Sequence, residues 1–344
     1  MSLASALKTG DLTALPSRRD EDWRWTDLRG LLRTLPPPAP APAHDGDVPE
    51  GPFAGLTDTG TVFVNGRRIA GADISKGVLA LRFIALADKA SQTANHALVV
   101  KPGETLVLLE SHEGRAGGYV SDVTLDIAVG EGASLERIVL VEDDAEAINV
   151  VTAEVDLAPG ATYAQTVLTS GARRQRIETR VNHPGAHAQV RLDGVYILEG
   201  QRHADQTTVV THAGVDGVTS QLTKGMVTDQ ARGVFQGRIV VAQGADQTDA
   251  RMGHHALVLS DKAEVDAKPE LLIFADDVSC AHGNTIGALD DEAIFYARQR
   301  GIPEAEAKAM LTVAFVGEVV ERIEHEGARA IAAAWVARKL GSPE

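Results

Sequence analysis

The chain has 344 residues, 44% of them apolar and 24% charged, a balance that suits a soluble globular protein of one to three domains. Its net charge of −15 excludes the usual routes to nucleic acid and to anionic membrane, which need clustered Lys and Arg, and points to a protein or a cation as partner. One cysteine excludes an internal disulfide and any self-sufficient four-thiolate cluster or zinc site.

No apolar run approaches the roughly 18 residues of a membrane span, and MSLASALKTGDL has no long apolar signal core, so the expected location is cytoplasmic. Residues 1–35 read as short helices punctuated by Asp11 and Pro16, with Trp23, Leu28, Leu31 and Leu32 on one stripe. Pro36, Pro37, Pro38, Pro40 and Pro42 then form a proline–alanine segment, which behaves as a semi-rigid extended spacer. The first unit is therefore placed at residues 1–60.

From about Thr61 the period becomes two. Val123, Leu125, Ile127 and Val129 alternate with Asp122, Thr124, Asp126 and Ala128; Val151, Ala153, Val155 and Leu157 do the same with Thr152, Glu154 and Asp156. A small turn signal recurs at Pro102-Gly103, Gly132-Ala133, Pro159-Gly160-Ala161, Pro184-Gly185-Ala186 and Gly244-Ala245. Its glycines are 29, 28, 25 and 59 residues apart, the last close to two of the other steps, as expected of a solenoid. A mainly β chain of this kind suits a parallel β-helix over residues 61–289 with helical segments at both ends as caps. An antiparallel sandwich fits the alternation as well. The hairpin-favouring Asn-Gly occurs only at Asn65-Gly66, which counts slightly against it.

The densest chemistry lies in ELLIFADDVSCAHGNTIGALDDEAIFYARQRG, Glu270 to Gly301. Leu271 to Phe274 read as a short buried strand ending on Asp276 and Asp277. Cys280 and His282 follow, two apart, so an extended chain puts thiol and imidazole on one face. By themselves they also fit a small buried hydrophobe and a hydrogen-bonded turn histidine. Adjacent residues in a strand face opposite ways, which separates Asp276 from Asp277 and His254 from His255; His203 and His212 are too distant in sequence to be paired. Beyond Asp290 and Asp291, suitable caps, the pattern is helical to the end, over residues 290–344. One helix carries Ile294, Phe295 and Ala297 and stops at Gly301. A second has Pro303 at its first position and a stripe of Met310, Leu311, Ala314, Phe315, Val319 and Ile323; a third runs from about Ala328 to Leu340. There is no G-x-x-x-x-G-K-[ST], G-x-S-x-G, H-E-x-x-H or strand–G-x-G-x-x-G–helix, so the chain is not read as an enzyme.

The run DDVSCAHGNTIGALDDEAIFYARQRGI resembles the signature of the SufB/SufD family of the SUF iron–sulfur cluster assembly system. GVFQGRIVVAQGADQTDA, LVLSDKAEVDAKPEL and, near the start, RRDEDWRWTDL are also similar to it, most closely to its SufD-like members. The resemblance covers about the C-terminal third and a short N-terminal patch. It departs from the pattern at Arg251 to His255, where a polar, asparagine-containing stretch is usual, so no role is carried to His254 or His255. It implies a right-handed parallel β-helix core between helical ends and a non-catalytic scaffold subunit. The C-terminal helices are then expected to dock the ATPase subunit SufC, and the chain to pair with a paralogous SufB, or with itself when isolated. No cofactor is expected to be held tightly by the isolated chain. In SufD-like proteins the histidine of the Cys-x-His-Gly motif faces a SufB cysteine where the nascent cluster forms, which transfers a metal-facing role to His282 and, more weakly, a place beside the cluster to Cys280. The alternative is a β-helix lyase or hydrolase of acidic polysaccharide, using carboxylates such as Asp205, Asp276 and Asp277 with a divalent cation.

Overall fold

The computed structural model describes residues 2–42, 48–71, 74–183 and 186–341. Two short strands, β1 (Gly60–Val64) and β2 (Arg67–Ala70), form an antiparallel hairpin whose turn is Asn65-Gly66, both at positive φ as the two-residue turn requires. The rest of the β region is parallel. The odd strands β3 (Gly77–Ala85), β5 (Thr105–Gly114), β7 (Ser134–Glu142), β9 (Thr162–Thr169), β11 (Gln189–Leu198), β13 (Val218–Val227), β15 (Thr248–Val258) and β17 (Val278–Gly287) stack in chain order on β1 as one sheet. The even strands β4 (Ser91–Val100), β6 (Val120–Val129), β8 (Ile148–Leu157), β10 (Arg174–His183), β12 (His203–His212), β14 (Arg232–Val241) and β16 (Glu264–Ile273) form the second. Each coil gives one strand to each sheet, which makes the molecule a parallel β-solenoid and removes the sandwich alternative.

Register partners set the repeat: Thr105 lies beside Ser134, Ser134 beside Thr162 and Thr162 beside Gln189, steps of 29, 28 and 27 residues. At one corner of each coil a residue at positive φ donates its N–H to the carbonyl just before its counterpart one coil later. These residues are Gly103, Gly132, Gly160, His187, Asp216 and Gln247. The repeat expected through Gly185 and Gly244 is thus out of phase: His187 and Gln247 hold those places, and Gly185 lies outside the described residues. Glycine fits the left-handed corner without strain, but the hydrogen bond to the next coil also holds His and Gln there.

Alternation decides the interior. Leu79, Leu81 and Phe83, then Val123, Leu125, Ile127 and Val129, then Val151, Ala153, Val155 and Leu157 all point between the sheets and are buried. Further along the axis the same positions turn polar. Arg137 is fully buried and holds Glu110 by two hydrogen bonds of 2.7 and 2.8 Å, with His112 on Glu110 at 2.7 Å and Gln165 on Arg137 at 2.7 Å. Burial alone raises a carboxyl, but the Arg137 guanidinium and His112 outweigh it and hold Glu110 at about 2. Removing one partner of such a pair costs roughly 3–5 kcal/mol, because the other charge stays buried.

The helical segments lie on the two outer faces. The N-terminal segment, with α1 (Leu3–Thr9) and α2 (Leu28–Leu31), packs Leu3, Leu15 and Leu28 against Val120, Ile148 and Val150. Its aromatic stretch locks onto the even sheet: the Trp23 ring covers Arg176 at 4.5 Å, and Arg176 pairs with Asp205 at 2.8 Å. The proline segment is extended as expected but is not free, since Ala39 donates to the Ser91 carbonyl and Ser91 to that of Pro37, covering the edge of β4. On the other face, α4 (Glu304–Val320) and α5 (Glu326–Lys339), preceded by α3 (Asp291–Gln299), bury Val316, Val319, Val320, Ile323, Trp335 and Val336 against Leu109, Ile138, Leu140, Leu168 and Leu222. Asp290 caps α3 as expected, whereas Pro303 is the N-cap of α4, one place before the expected first turn. The expected α4 stripe is rotated: Met310 and Ala314 face solvent, because α4 is apolar nearly all round and periodicity alone does not choose the packing side.

Candidate functional site

The last coil, β16 and β17, stays open at the end of the solenoid. Leu271, Leu272 and Ile273 do form the end of a strand, but Leu272, Ile273 and Phe274 are 42%, 41% and 64% exposed, contrary to the buried strand expected. Ile273, beside the core residue Val241, is exposed because no further coil stacks on this one among the described residues, whereas Leu272, beside Val240, faces outward by parity. Both strands keep an unpaired backbone edge among the described residues.

Parity places the side chains of β17. It pairs with β15 so that Ala250 lies beside Cys280, Met252 beside His282, His254 beside Asn284 and Ala256 beside Ile286. The four β15 residues are all buried in or near the interior, so Cys280, His282, Asn284 and Ile286 share the core-facing side of an uncovered rung. Thiol and imidazole therefore lie on one surface, as the spacing predicts. Cys280 is half-buried beside Ala250, and burial pushes its thiol up, away from the thiolate form that binds metal. His282 is exposed, and Gly283 beside it carries no side chain to block an approaching chain.

His254 and His255 point to opposite sides, as expected. His255 meets Thr285 at 2.7 Å, whereas His254 is fully buried and stacks on Phe235, with ring centroids 4.6 Å apart. Its Nδ1 lies 2.7 Å from Asn284 Oδ1 and its Nε2 2.9 Å from the Tyr196 hydroxyl. Burial pushes this imidazole down to about 4, so it is neutral at pH 7. Sequence reasoning missed this chain of contacts. The 30-residue step from His254 to Asn284 is the signal that finds it, once the coil length is known. His203 and His212 do not pair, although both are on β12; His212 instead meets His183 of β10, ring centroids 3.9 Å apart.

The carboxylates of the enzyme alternative do not converge. Asp205 is fully buried in contact with Arg176, Thr26 and Gln236, while Asp276 and Asp277 are exposed in the turn between β16 and β17. Among the described residues no group of three or more His, Cys, Asp and Glu is arranged to hold a metal ion. No helix among them is long and apolar enough to cross a membrane.

Residues 83–315 match the family model described as SUF system FeS cluster assembly, SufBD core domain. The chain belongs to the SufBD family. Within it, the chain is of the SufD type: it is 30% identical to the iron–sulfur cluster assembly protein SufD of Escherichia coli, over 95% of this chain and 90% of that one. An iron–sulfur cluster assembly SufBD family protein of Synechocystis sp. is 31% identical over 60% of this chain and 45% of its own length. The chloroplastic protein ABCI7 of Arabidopsis thaliana is 26% identical over 67% of this chain and 50% of its own. The SufBD core match begins in β3 and ends within α4, so it includes the open last coil and all of α3.

Proposed function

We propose that this SufBD chain is a non-catalytic scaffold subunit that builds iron–sulfur clusters together with a SufB-type paralogue and a SufC-type ATPase. The paralogue docks on the open last coil, and His282 faces the nascent cluster there. The observation that carries this reading is the placement of an exposed imidazole on the core-facing side of the last rung, next to a glycine and two strand edges that no described residue pairs with. An extended edge offers a partner chain main-chain hydrogen bonds, and neutral imidazole suits iron. His282 supplies one ligand, whereas a cluster takes about four, so the thiolates come from the other subunit. Cys280 is a poorer candidate, with its thiol raised and half-covered. The ATPase is assigned to the C-terminal helices, where Phe295, Tyr296 and Met310 stand 62%, 61% and 54% exposed on α3 and α4.

The test is His282→Ala beside Cys280→Ser, each co-expressed with its SUF partners. His282→Ala is expected to leave the melting temperature and complex formation unchanged and to abolish most cluster formation in cells, with Cys280→Ser doing less harm. Normal cluster maturation by the His282→Ala complex would refute the site. Failure of that complex to assemble would instead make the histidine structural.

A further inference from the structure

The hydrogen bonds behind His282 have a direction, and it is set from the buried end. Tyr196 is fully buried, its ring seated over Gly225 and Gly233, where an added methyl group would fall 1.8 and 2.5 Å from it. Among the described residues its hydroxyl has one partner, His254 Nε2. A buried O–H that donates to nothing costs about 1–3 kcal/mol, so Tyr196 donates and Nε2 accepts. The neutral imidazole then carries its proton on Nδ1 and donates it to Asn284, whose Oδ1 accepts at 2.7 Å. That fixes the amide: with Oδ1 turned inward, Nδ2 and its two hydrogens face out from the rung. Phe235, stacked nearly parallel on the His254 ring at 3°, keeps the imidazole from turning. Asn284 lies on the same face as His282, two residues on.

We propose that Asn284 is a second site residue, an amide donor held in place by Tyr196 and His254, and that it hydrogen-bonds an anionic sulfur atom, thiolate or sulfide, seated beside His282. The inference rests on the cluster-facing reading of His282. An amide N–H aimed at anionic sulfur is a charge-assisted bond that favours the anion without adding charge. Tyr196 and His254 are positioning residues, acting through Asn284.

Two measurements test it. In the isolated chain, labelled for nitrogen NMR at histidine, His254 should appear as the Nδ1-protonated tautomer, and Tyr196→Phe should release that preference; an Nε2-protonated His254 in the unaltered chain overturns the proposed direction. In the complex with the SufB-type partner, Asn284→Asp keeps the acceptor for His254 and replaces only the outward donor by negative charge. It should leave assembly intact, lower acid-labile sulfide per complex by roughly tenfold, the worth of one charge-assisted hydrogen bond, and shift the cluster's midpoint potential downward. Sulfide loss without change in thiol accessibility identifies sulfide as the bonded atom, and increased alkylation of partner thiols identifies thiolate. If Asn284→Asp is neutral while His282→Ala abolishes the cluster, this inference alone fails; if both are neutral, the site reading fails with it.

Discussion

Four histidines are buried, His183, His212 and His254 inside the solenoid and His203 between the even sheet and the N-terminal segment, its Nε2 3.1 Å from the Trp25 carbonyl, and burial pushes them down to about 4, 3, 4 and 4. Against them stand few charges: His183 and His212 face each other, His203 sees Arg174, Arg232 and Asp205, and His254 sees His255. Between the ordinary value of 6.5 and these depressed values the unfolded chain binds protons that the folded chain refuses, so stability drops as pH falls from 6.5 to about 4. Each histidine contributes about 1.4 kcal/mol per pH unit inside that window. Asp122 and Asp193 act oppositely: burial pushes them up to about 6, above the ordinary 3.8, so the folded chain takes their protons first and regains stability as pH falls. Four groups against two leave a net loss. Urea midpoints should therefore decline with acidification over that window, and His183→Gln with His212→Gln should flatten the decline; an unchanged slope would mean that the pair is not neutral in the folded chain. At this scale the sequence places Cys280 and His282 on a shared face by spacing alone. It does not reveal Asn284 or His254, because their meeting depends on a coil step that the visible Gly-Ala turns put out of phase.

Strands are easier to read than helix faces in this chain, for a physical reason. A strand buried on one side must alternate, and Val123 to Val129 and Val151 to Leu157 do so without exception. Helix α4 carries apolar residues around most of its circumference, so the packed side is settled by the sheet it meets and not by its own period. Met310 is left outside with Phe295 and Tyr296 of α3. Removing residues 290–344 is a poor probe of this surface, since it also strips Val316 and Trp335 from the core they share with the odd sheet. Point changes are cleaner. Phe295→Asp with Met310→Asp should weaken SufC-type ATPase binding by roughly tenfold or more, as expected for exposed apolar anchors, and leave thermal melting near that of the parent. Undiminished ATPase capture in a pull-down would move the docking site elsewhere.

A solenoid closes its interior only against neighbouring coils, so its ends set its associations. At the start, the β1–β2 hairpin and the Pro36–Ala39 stretch occupy the two sheet edges. At the finish, no strand among the described residues pairs with the outer edges of β16 and β17, and Leu272, Ile273, Phe274 and Ile286 of this last coil are exposed. Natural proteins seldom leave two free strand edges and exposed apolar side chains together in water, and a second solenoid laid against this end covers both. Lysine blunts such edges, and a charge at Phe274 and Ile286 falls on exposed positions where the fold does not need the apolar group. A Phe274→Lys, Ile286→Lys chain should keep its melting temperature and lose pairing with the SufB-type partner. Retained pairing in analytical ultracentrifugation would place the partner on another face and remove His282 from the interface.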